Sequence, residues 1–305
     1  MRIFLTGPTG FIGSRLVPFL REAGHQAVIL VRPLERVGGI PEADQVVTGN
    51  PVEWGPWWKP VAECDAAVNL AGESILGKWT PEKKLAIRES RIRTTRNLVD
   101  AIPMGRVFTL VSTSAVGIYG DAGDRVLDED APLGQDFLAR VAQDWEAEAW
   151  QARDRGARVV ITRFGVVLGP GGGPLTRLAK MTKRFLGGPV GAGRQWISWI
   201  HREDLCRAIR FLLERPDLEG VFNLCSPNPV RQIDLARTLG RVLGRPAFTP
   251  APAFAVRLAL GEFASTIVAS QRMVPKRLLE AGFEFLFPGL EDALRDILKN
   301  KQIEM

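Results

Sequence analysis

Met1-Arg2-Ile3-Phe4-Leu5-Thr6-Gly7-Pro8-Thr9-Gly10-Phe11-Ile12-Gly13 opens the chain, and the reading of this stretch decides the fold. Ile3, Phe4 and Leu5 predict a short buried strand. Gly7, Gly10 and Gly13 follow in a G-x-x-G-x-x-G spacing, and a helical pattern comes next, with Ile12, Leu16, Phe19 and Leu20 on one face. A turn this tight leaves little room for a Cβ, and bare backbone N–H groups let an anion approach closely. The helix N-terminus adds partial positive charge. Strand, glycine turn and helix in this order open a dinucleotide-binding unit. Gly7, Thr9, Gly10, Phe11, Ile12 and Gly13 are therefore expected to cradle a pyrophosphate. Pro18 falls inside the helix, where it costs about 3 kcal/mol or kinks the axis; the helix is expected to persist around it.

The second strand, Gln26 to Val31, ends at Arg32-Pro33. A carboxylate at this place binds a ribose 2′-hydroxyl and favours NAD, whereas a basic residue accommodates a 2′-phosphate and favours NADP. Arg32 stands there, so NADP(H) is the expected cofactor, with Arg36 as a second contributor from the loop. A weak strand at Gln45 to Thr48 and a Trp/Pro-rich loop from Pro51 to Pro60 lead to a strand from Ala66, ending in Asn69-Leu70-Ala71-Gly72. Small residues there let the chain pass the adenosine half of a dinucleotide, which makes Leu70, Ala71 and Gly72 cofactor candidates. Pro81 opens a helix to Ile102 with Leu85, Ile92, Val99 and Ile102 on its apolar face. Of its many basic residues, Arg91 is the one assigned to turn back toward the cofactor.

Val107 to Ser112 reads as the fifth strand and continues as S-T-S-A-V-G-I-Y-G. A loop from Gly120 to Gln135, a helix from Phe137 to Arg155 and a strand from Arg158 to Phe164 follow. Then come a glycine-rich loop (Gly169 to Pro174), a basic helix (Thr176 to Leu186), strand and loop (Val190 to Ile200), a helix (Arg202 to Glu214) and a last strand (Val221 to Leu224). Strands alternate with helices over two thirds of the chain. That pattern predicts an α/β protein with a Rossmann-like, doubly wound parallel sheet and a smaller C-terminal α/β lobe, its ligand lying at the carboxyl ends of the strands. The expected division is 1–168 with 198–225 for the nucleotide domain and 169–197 with 226–305 for the lobe on the substrate side.

With 305 residues, 46% hydrophobic and 24% charged, the chain has the composition of a globular protein with a large core. No signal peptide is read at its start, and no apolar run spans a bilayer. Ala251 to Val274 comes nearest, but Arg257, Glu262 and Arg272 interrupt it. Cys64, Cys206 and Cys225 lack metal spacing and read as reduced thiols of a cytoplasmic protein. The net charge of +6 is dispersed and suits a phosphate-bearing ligand or simply a solvated surface. Nucleic acid and membrane are not expected as partners, a small molecule is, and the chain is taken as monomer or homodimer. Two histidines argue against a histidine-built metal site.

The T-G-x-T-G-F-I-G opening, Asn69-Leu70-Ala71-Gly72 and Ser112 to Gly120 resemble an extended short-chain dehydrogenase/reductase. More closely, the chain is similar to an atypical, epimerase-like branch often labelled nucleoside-diphosphate-sugar epimerase. The likeness covers nearly the whole chain, through Ser90-Arg91, Asp144-Trp145-Glu146, Arg163 to Gly173, Gly187 to Asp204, Ser270-Gln271-Arg272 to Lys276, and Gly282-Phe283. It implies NADP in a cleft between a Rossmann-like domain and a smaller lobe, with Val167 lining the nicotinamide pocket.

It also implies a Ser, a Tyr and a Lys: the Tyr hydroxyl exchanges a proton with the substrate oxygen, and the Lys, four residues on along one helix face, lowers its pKa. Ser114, with Ser112 as fallback, matches the serine. The Tyr-x-x-x-Lys pair does not match: with Glu146 as the register mark, Leu138 and Ala142 stand in its place. The single tyrosine, Tyr119, is on the serine loop. Tyr119, Glu73 and Asp144 are then candidate acids or bases, Tyr119 reading more readily as a packing residue and Glu73 equally as a solvated surface carboxylate. Slow hydride chemistry through Ser114 and water, and a catalytically silent NADP(H) sensor or scaffold, are the other readings. Gln195, Trp196, Trp199 and His201, with Glu73, are the candidate substrate contacts, or else core at the domain junction.

Overall fold

The computed structural model describes residues 1 to 33 and 39 to 299. The nucleotide half runs β1 (Arg2–Thr6), α1 (Gly13–Glu22), β2 (Gln26–Val31), β3 (Gln45–Thr48), α2 (Trp58–Ala62), β4 (Ala66–Asn69), α3 (Pro81–Ala101), β5 (Thr109–Ala115), β6 (Val126–Leu127), α4 (Phe137–Trp150) and β7 (Arg158–Phe164). It continues through β8 (Val166–Leu168), α5 (Gly173–Lys183), β9 (Trp196–Ile197), β10 (Trp199–His201), α6 (Arg202–Glu214) and β11 (Gly220–Leu224). The remainder holds β12 (Val230–Arg231), α7 (Gln232–Leu243), α8 (Ala253–Leu260), α9 (Ala264–Val268), β13 (Arg272–Met273), α10 (Lys276–Glu280) and α11 (Leu290–Lys299).

The main sheet has seven strands in the order β11-β7-β5-β4-β1-β2-β3, all parallel. Strand order reverses between β1 and β4, and the crevice at such a reversal is where this class of sheet takes its ligand. Register levels the strand ends there: Thr6 pairs with Asn69, and Asn69 with Ser112. Both faces of the sheet are covered, so its central strands are buried on both sides, while the edge strand β3 alternates half-buried and exposed residues. Ile3, Leu5 and Ile29 pack under Leu16, Leu20, Leu205 and Ile209 of α1 and α6. Phe4, Val28 and Leu110, pointing the other way, pack with Trp57, Leu98 and Ala149. A separate core of Leu168, Leu175, Trp199, Leu235, Leu239 and Leu294 lies where the β8–β10 pair meets α5, α7 and α11. Among the described residues, no helix is long and apolar enough to cross a membrane.

As expected, the helix with Pro18 is continuous, since only one backbone bond is forfeited amid a buried face. Several other expectations move. Leu85 is 60% exposed; the buried face of α3 is instead Ile87, Ile92, Leu98 and Val99. The fifth strand starts at Thr109, leaving Val107 exposed, and runs on through the Ser-Thr-Ser segment. The Trp/Pro loop ends in α2, the helix from Phe137 tightens into a 3-10 turn at Gln151, and the basic helix starts at Gly173 and stops at Lys183. The loop from Gly120 contains β6, paired with β13 of the C-terminal segment. Arg36 lies outside the described residues.

Candidate functional site

The glycine turn is built as tightly as its sequence demands. Gly7 sits at φ +67°, and a Cβ on it would come within 3.0 Å of the Leu70 backbone. A Cβ on Gly13 would fall 2.2 Å from the Gly7 carbonyl, so α1 lies directly on the turn. Gly10 N–H donates to Gly7 O and Ser14 N–H to Gly10 O, which shapes the entry into the helix. Gly10 is exposed, Thr9, Phe11 and Ile12 are half-buried, and Gly13 is buried. The Phe11 ring lies against the glycine-rich loop: a Cβ on Gly172 would meet it at 2.5 Å and one on Gly173 at 2.9 Å. Arg202 stacks 5.0 Å from the Phe11 ring centre and donates to its carbonyl. Phe11 thus ties the turn to the loop after β8.

Across the crevice, a polar chain fixes the end of β4. Thr6 Oγ1 donates to Asn69 Oδ1 at 2.7 Å and accepts the Leu70 and Ala71 amides. Asn69 Nδ2 and Trp145 Nε1 both donate to Thr95 Oγ1 at 2.8 Å, and Thr95 donates to Arg91 O. Arg91 runs beneath Gly72, where a Cβ would be 3.1 Å from its guanidinium carbon, and donates to the carbonyls of Glu73 and Ile87. Burial lowers its pKa to about 10, and its guanidinium lies over the Trp145 ring. Arg91 therefore braces the 71–73 loop from below. Glu73 is held at the rim by an ion pair with Lys83 at 2.6 Å. Arg32 is exposed at the end of β2.

Along the last residues of β5, Ser112, Thr113 and Ser114 present side-chain hydroxyls with no hydrogen-bond partner. Ser112 and Ser114 are each 1% exposed. These two share one face of the strand, with Thr113 on the other, and such a pair of orphaned hydroxyls at the carboxyl end of a central strand fits a polar ligand set against it, since such groups are costly to leave unmade. Tyr119 is engaged elsewhere. Its hydroxyl lies 2.8 Å from Asn223 Oδ1, 3.0 Å from Asp128 O and 2.9 Å from Arg163 Nη1, and burial pushes its pKa up to about 12. Arg163 in turn forms two 2.8 Å bonds to Glu146, both side chains almost fully buried. This arrangement clamps Tyr119 and opposes the proton-transfer role. Asp144 is surface-exposed and paired with Arg88. Leu138 packs with Trp79, Phe137 and Phe263, and Ala142 with Ile118 and Tyr119, so hydrocarbon fills both places of the expected pair.

Of the five residues assigned to the substrate, Glu73 is at the rim beside Lys83, and the other four do not gather at one surface. Gln195 donates to the carbonyls of Val190 and Ile267. Trp196 is sandwiched between Arg231 and Arg272, 4.0 and 4.5 Å from its ring, and donates to Asp124. Trp199 is fully buried and donates to Asn228 O, a core residue. His201 is buried too: its Nδ1 caps α6 through Glu203 N–H, its ring packs on Phe287, and its Nε2 lies 3.3 Å from Asp296. The alternative reading of Trp199 and His201 as core is the one the packing supports; the unbroken apolar pair Trp199-Ile200 was the signal. Val167 is buried and pairs with Ile200. Sequence reasoning passed over Thr6, Asn69 and Thr95, which carry the crevice network, although a polar residue ending each of two buried strands beside the glycine turn marked Thr6 and Asn69; Thr95, inside α3, had no such mark.

Crevice, turn and fold together define a Rossmann-like dinucleotide-binding protein. The chain belongs to the NAD dependent epimerase/dehydratase family, whose description matches residues 3–225; a domain of unknown function, DUF1731, matches residues 251–297. A chloroplastic SDR39U1 homologue described as an epimerase family protein, from Arabidopsis thaliana, is 42% identical over 98% of this chain and 87% of its own length. The epimerase family protein YfhF of Bacillus subtilis is 37% identical over 99% of both chains. The crystal structure of the human epimerase family protein SDR39U1 (isoform 2) with NADPH superimposes with a TM-score of 0.85 at 33% identity, over 98% of this chain and 100% of that one.

Proposed function

We propose that this protein binds NADP(H) in the crevice between β1 and β4 and acts on a small carbonyl or nucleotide-sugar-type substrate. The observation that carries the reading is the turn, where Gly7 and Gly13 stand at positions that exclude a Cβ and leave the backbone bare at a helix N-terminus. Arg32, in place of a carboxylate after β2, supports the phosphorylated cofactor, and the human relative crystallised with NADPH agrees. Gly7, Thr9, Gly10, Phe11, Ile12 and Gly13 would hold the pyrophosphate, Leu70, Ala71 and Gly72 the adenosine side, and Val167 the nicotinamide pocket. The bound coenzyme would supply a hydride donor or acceptor. Arg91 acts through the 71–73 loop rather than by contact. Ser114 would orient a substrate oxygen. Buried, unpaired cysteines support a reducing, cytoplasmic setting, and the chain is proposed as monomer or homodimer.

The hydrocarbon at Leu138 and Ala142 favours a second reading, a catalytically silent NADP(H)-binding sensor or scaffold. Incubation with NADPH and a carbonyl panel, following loss of reduced-nicotinamide absorbance, separates the two; turnover supports the first and its absence the second. For the cofactor, Arg32→Asp should weaken NADPH by about tenfold or more, as loss of a charge-assisted phosphate contact implies, while NADH changes little. Equal weakening of both would refute the assignment.

A further inference from the structure

The C-terminal half carries a surface that the cofactor crevice does not use. Between Asp154 and Glu203, and again between Asp234 and Glu262, the sequence contains no carboxylate side chain. The structure lays parts of these two acid-free segments side by side. Thr249 N–H donates to Gly187 O, Ala251 N–H to Pro189 O, and Gly191 N–H to Ala251 O. Arg245 stacks on the Phe185 ring at 5.3 Å.

Large apolar side chains project to solvent from both segments. Met181 is 47% exposed, Phe185 56%, Leu186 58%, Phe248 77%, Phe254 75% and Leu258 86%. Phe185 stands at φ +62°, the non-glycine residue with positive φ among those described. Lys180, Lys183, Arg184, Arg245 and Arg257 are exposed among them. Glu262, the first carboxylate beyond the second segment, is bound to Lys84.

We infer that this face docks on an anionic phospholipid surface, with Phe185, Phe248, Phe254 and Leu258 entering the headgroup boundary and the surrounding cations meeting lipid phosphates. Exposed aromatic and aliphatic side chains bordered by lysine and arginine, with no carboxylate among them, are the composition of a face that lies on a bilayer without crossing it. Lack of a spanning helix is therefore no obstacle. A second copy of the chain fits poorly, because a two-fold contact would bring the same cations together with no acid to offset them.

Cosedimentation of the full chain with vesicles of phosphatidylcholine plus phosphatidylglycerol, against phosphatidylcholine alone, tests the inference. Binding is expected to the anionic vesicles only, and to weaken as salt rises. Phe254→Asp with Leu258→Asp should reduce it by about tenfold or more, from the lost apolar burial. Lys180→Glu with Lys183→Glu, on the other segment, should do likewise, with NADPH titration heat and thermal melting unchanged in both variants. Failure to bind anionic vesicles, equal binding to neutral ones, or variants that bind like the parent chain would each overturn it. So would sedimentation showing a dimer that the Phe254→Asp, Leu258→Asp chain splits.

Discussion

The two ends of the crevice are finished to different degrees. At the cofactor end, Thr6, Asn69, Thr95 and Trp145 are joined without a gap, and Arg91 props the loop above them. At the end where the reaction is proposed, the Ser112, Thr113 and Ser114 hydroxyls have no partners, and Leu138 and Ala142 of α4 sit in apolar clusters. The difference teaches that the two ends are separately built. The walls of the binding end hold their geometry with the protein's own groups, whereas the proposed reaction end has polar atoms that no other protein group satisfies. The Glu146–Arg163 pair stands behind that end as scaffold, holding Tyr119 and through it the 3-10 turn after β5.

The largest expected effect tests that scaffold. Arg163→Leu removes one partner of a buried, doubly hydrogen-bonded pair and leaves Glu146 uncompensated, which should cost about 3–5 kcal/mol of folding stability. Denaturant melts should show it. A loss under 1 kcal/mol would mean the pair is exposed in solution and the reaction end softer than its packing implies. Next comes Gly13→Ala at the cofactor end. Its Cβ would meet the Gly7 carbonyl at 2.2 Å, so the turn or α1 must shift. A stability loss of about 1–3 kcal/mol is expected, together with loss of measurable NADPH heat in calorimetry. Unchanged affinity would erase the distinction between a rigid binding end and an unfinished reaction end.

Tyr119 offers a sharper and smaller test, because it is the chain's single tyrosine and can be followed alone. Burial raises its pKa from 10.0 to about 12 in the folded protein. The folded state favours the neutral phenol, so its contribution to stability is intact below pH 10 and lost as pH rises toward 12. Tyrosinate absorbance should therefore stay absent in the native protein at pH values where the urea-unfolded chain already ionises. Native ionisation at the ordinary pKa would restore Tyr119 as a candidate proton donor.

What the sequence disclosed follows the same division. The glycine turn, the alternation of strands and helices, and the positions of β2, β3, β7 and α6 were readable because each depends on local periodicity or on a residue with one conformational use. The substrate side was not. Trp199 and His201 look like ligand-contacting residue types, yet their neighbours Leu235, Leu294, Phe287 and Asp296 arrive from distant segments and close over them. Leu85 was misjudged for a similar reason: its spacing fits an apolar stripe, but the face of α3 that meets the sheet is decided by Ile87 and Leu98. The residue types at 138 and 142 were visible in the sequence; the apolar clusters that close around them were not.

Ser114→Ala is expected to have the smallest effect on the fold, and for that reason discriminates best. Its hydroxyl is buried and unpaired, so removing it deletes no hydrogen bond within the protein. Melting should shift by no more than about 0.5 kcal/mol, or rise slightly, since an unsatisfied buried hydroxyl is itself unfavourable. NADPH affinity should be retained, because the serine is on β5, two strands away from β1 and its glycine turn. If the protein is an enzyme, turnover on any substrate found should fall by about tenfold or more, the loss of one oriented hydrogen bond in the transition state. A stability loss of several kcal/mol would show that the hydroxyl has a structural partner after all, and the contrast between the two ends of the crevice would shrink to the hydrocarbon at Leu138 and Ala142 alone.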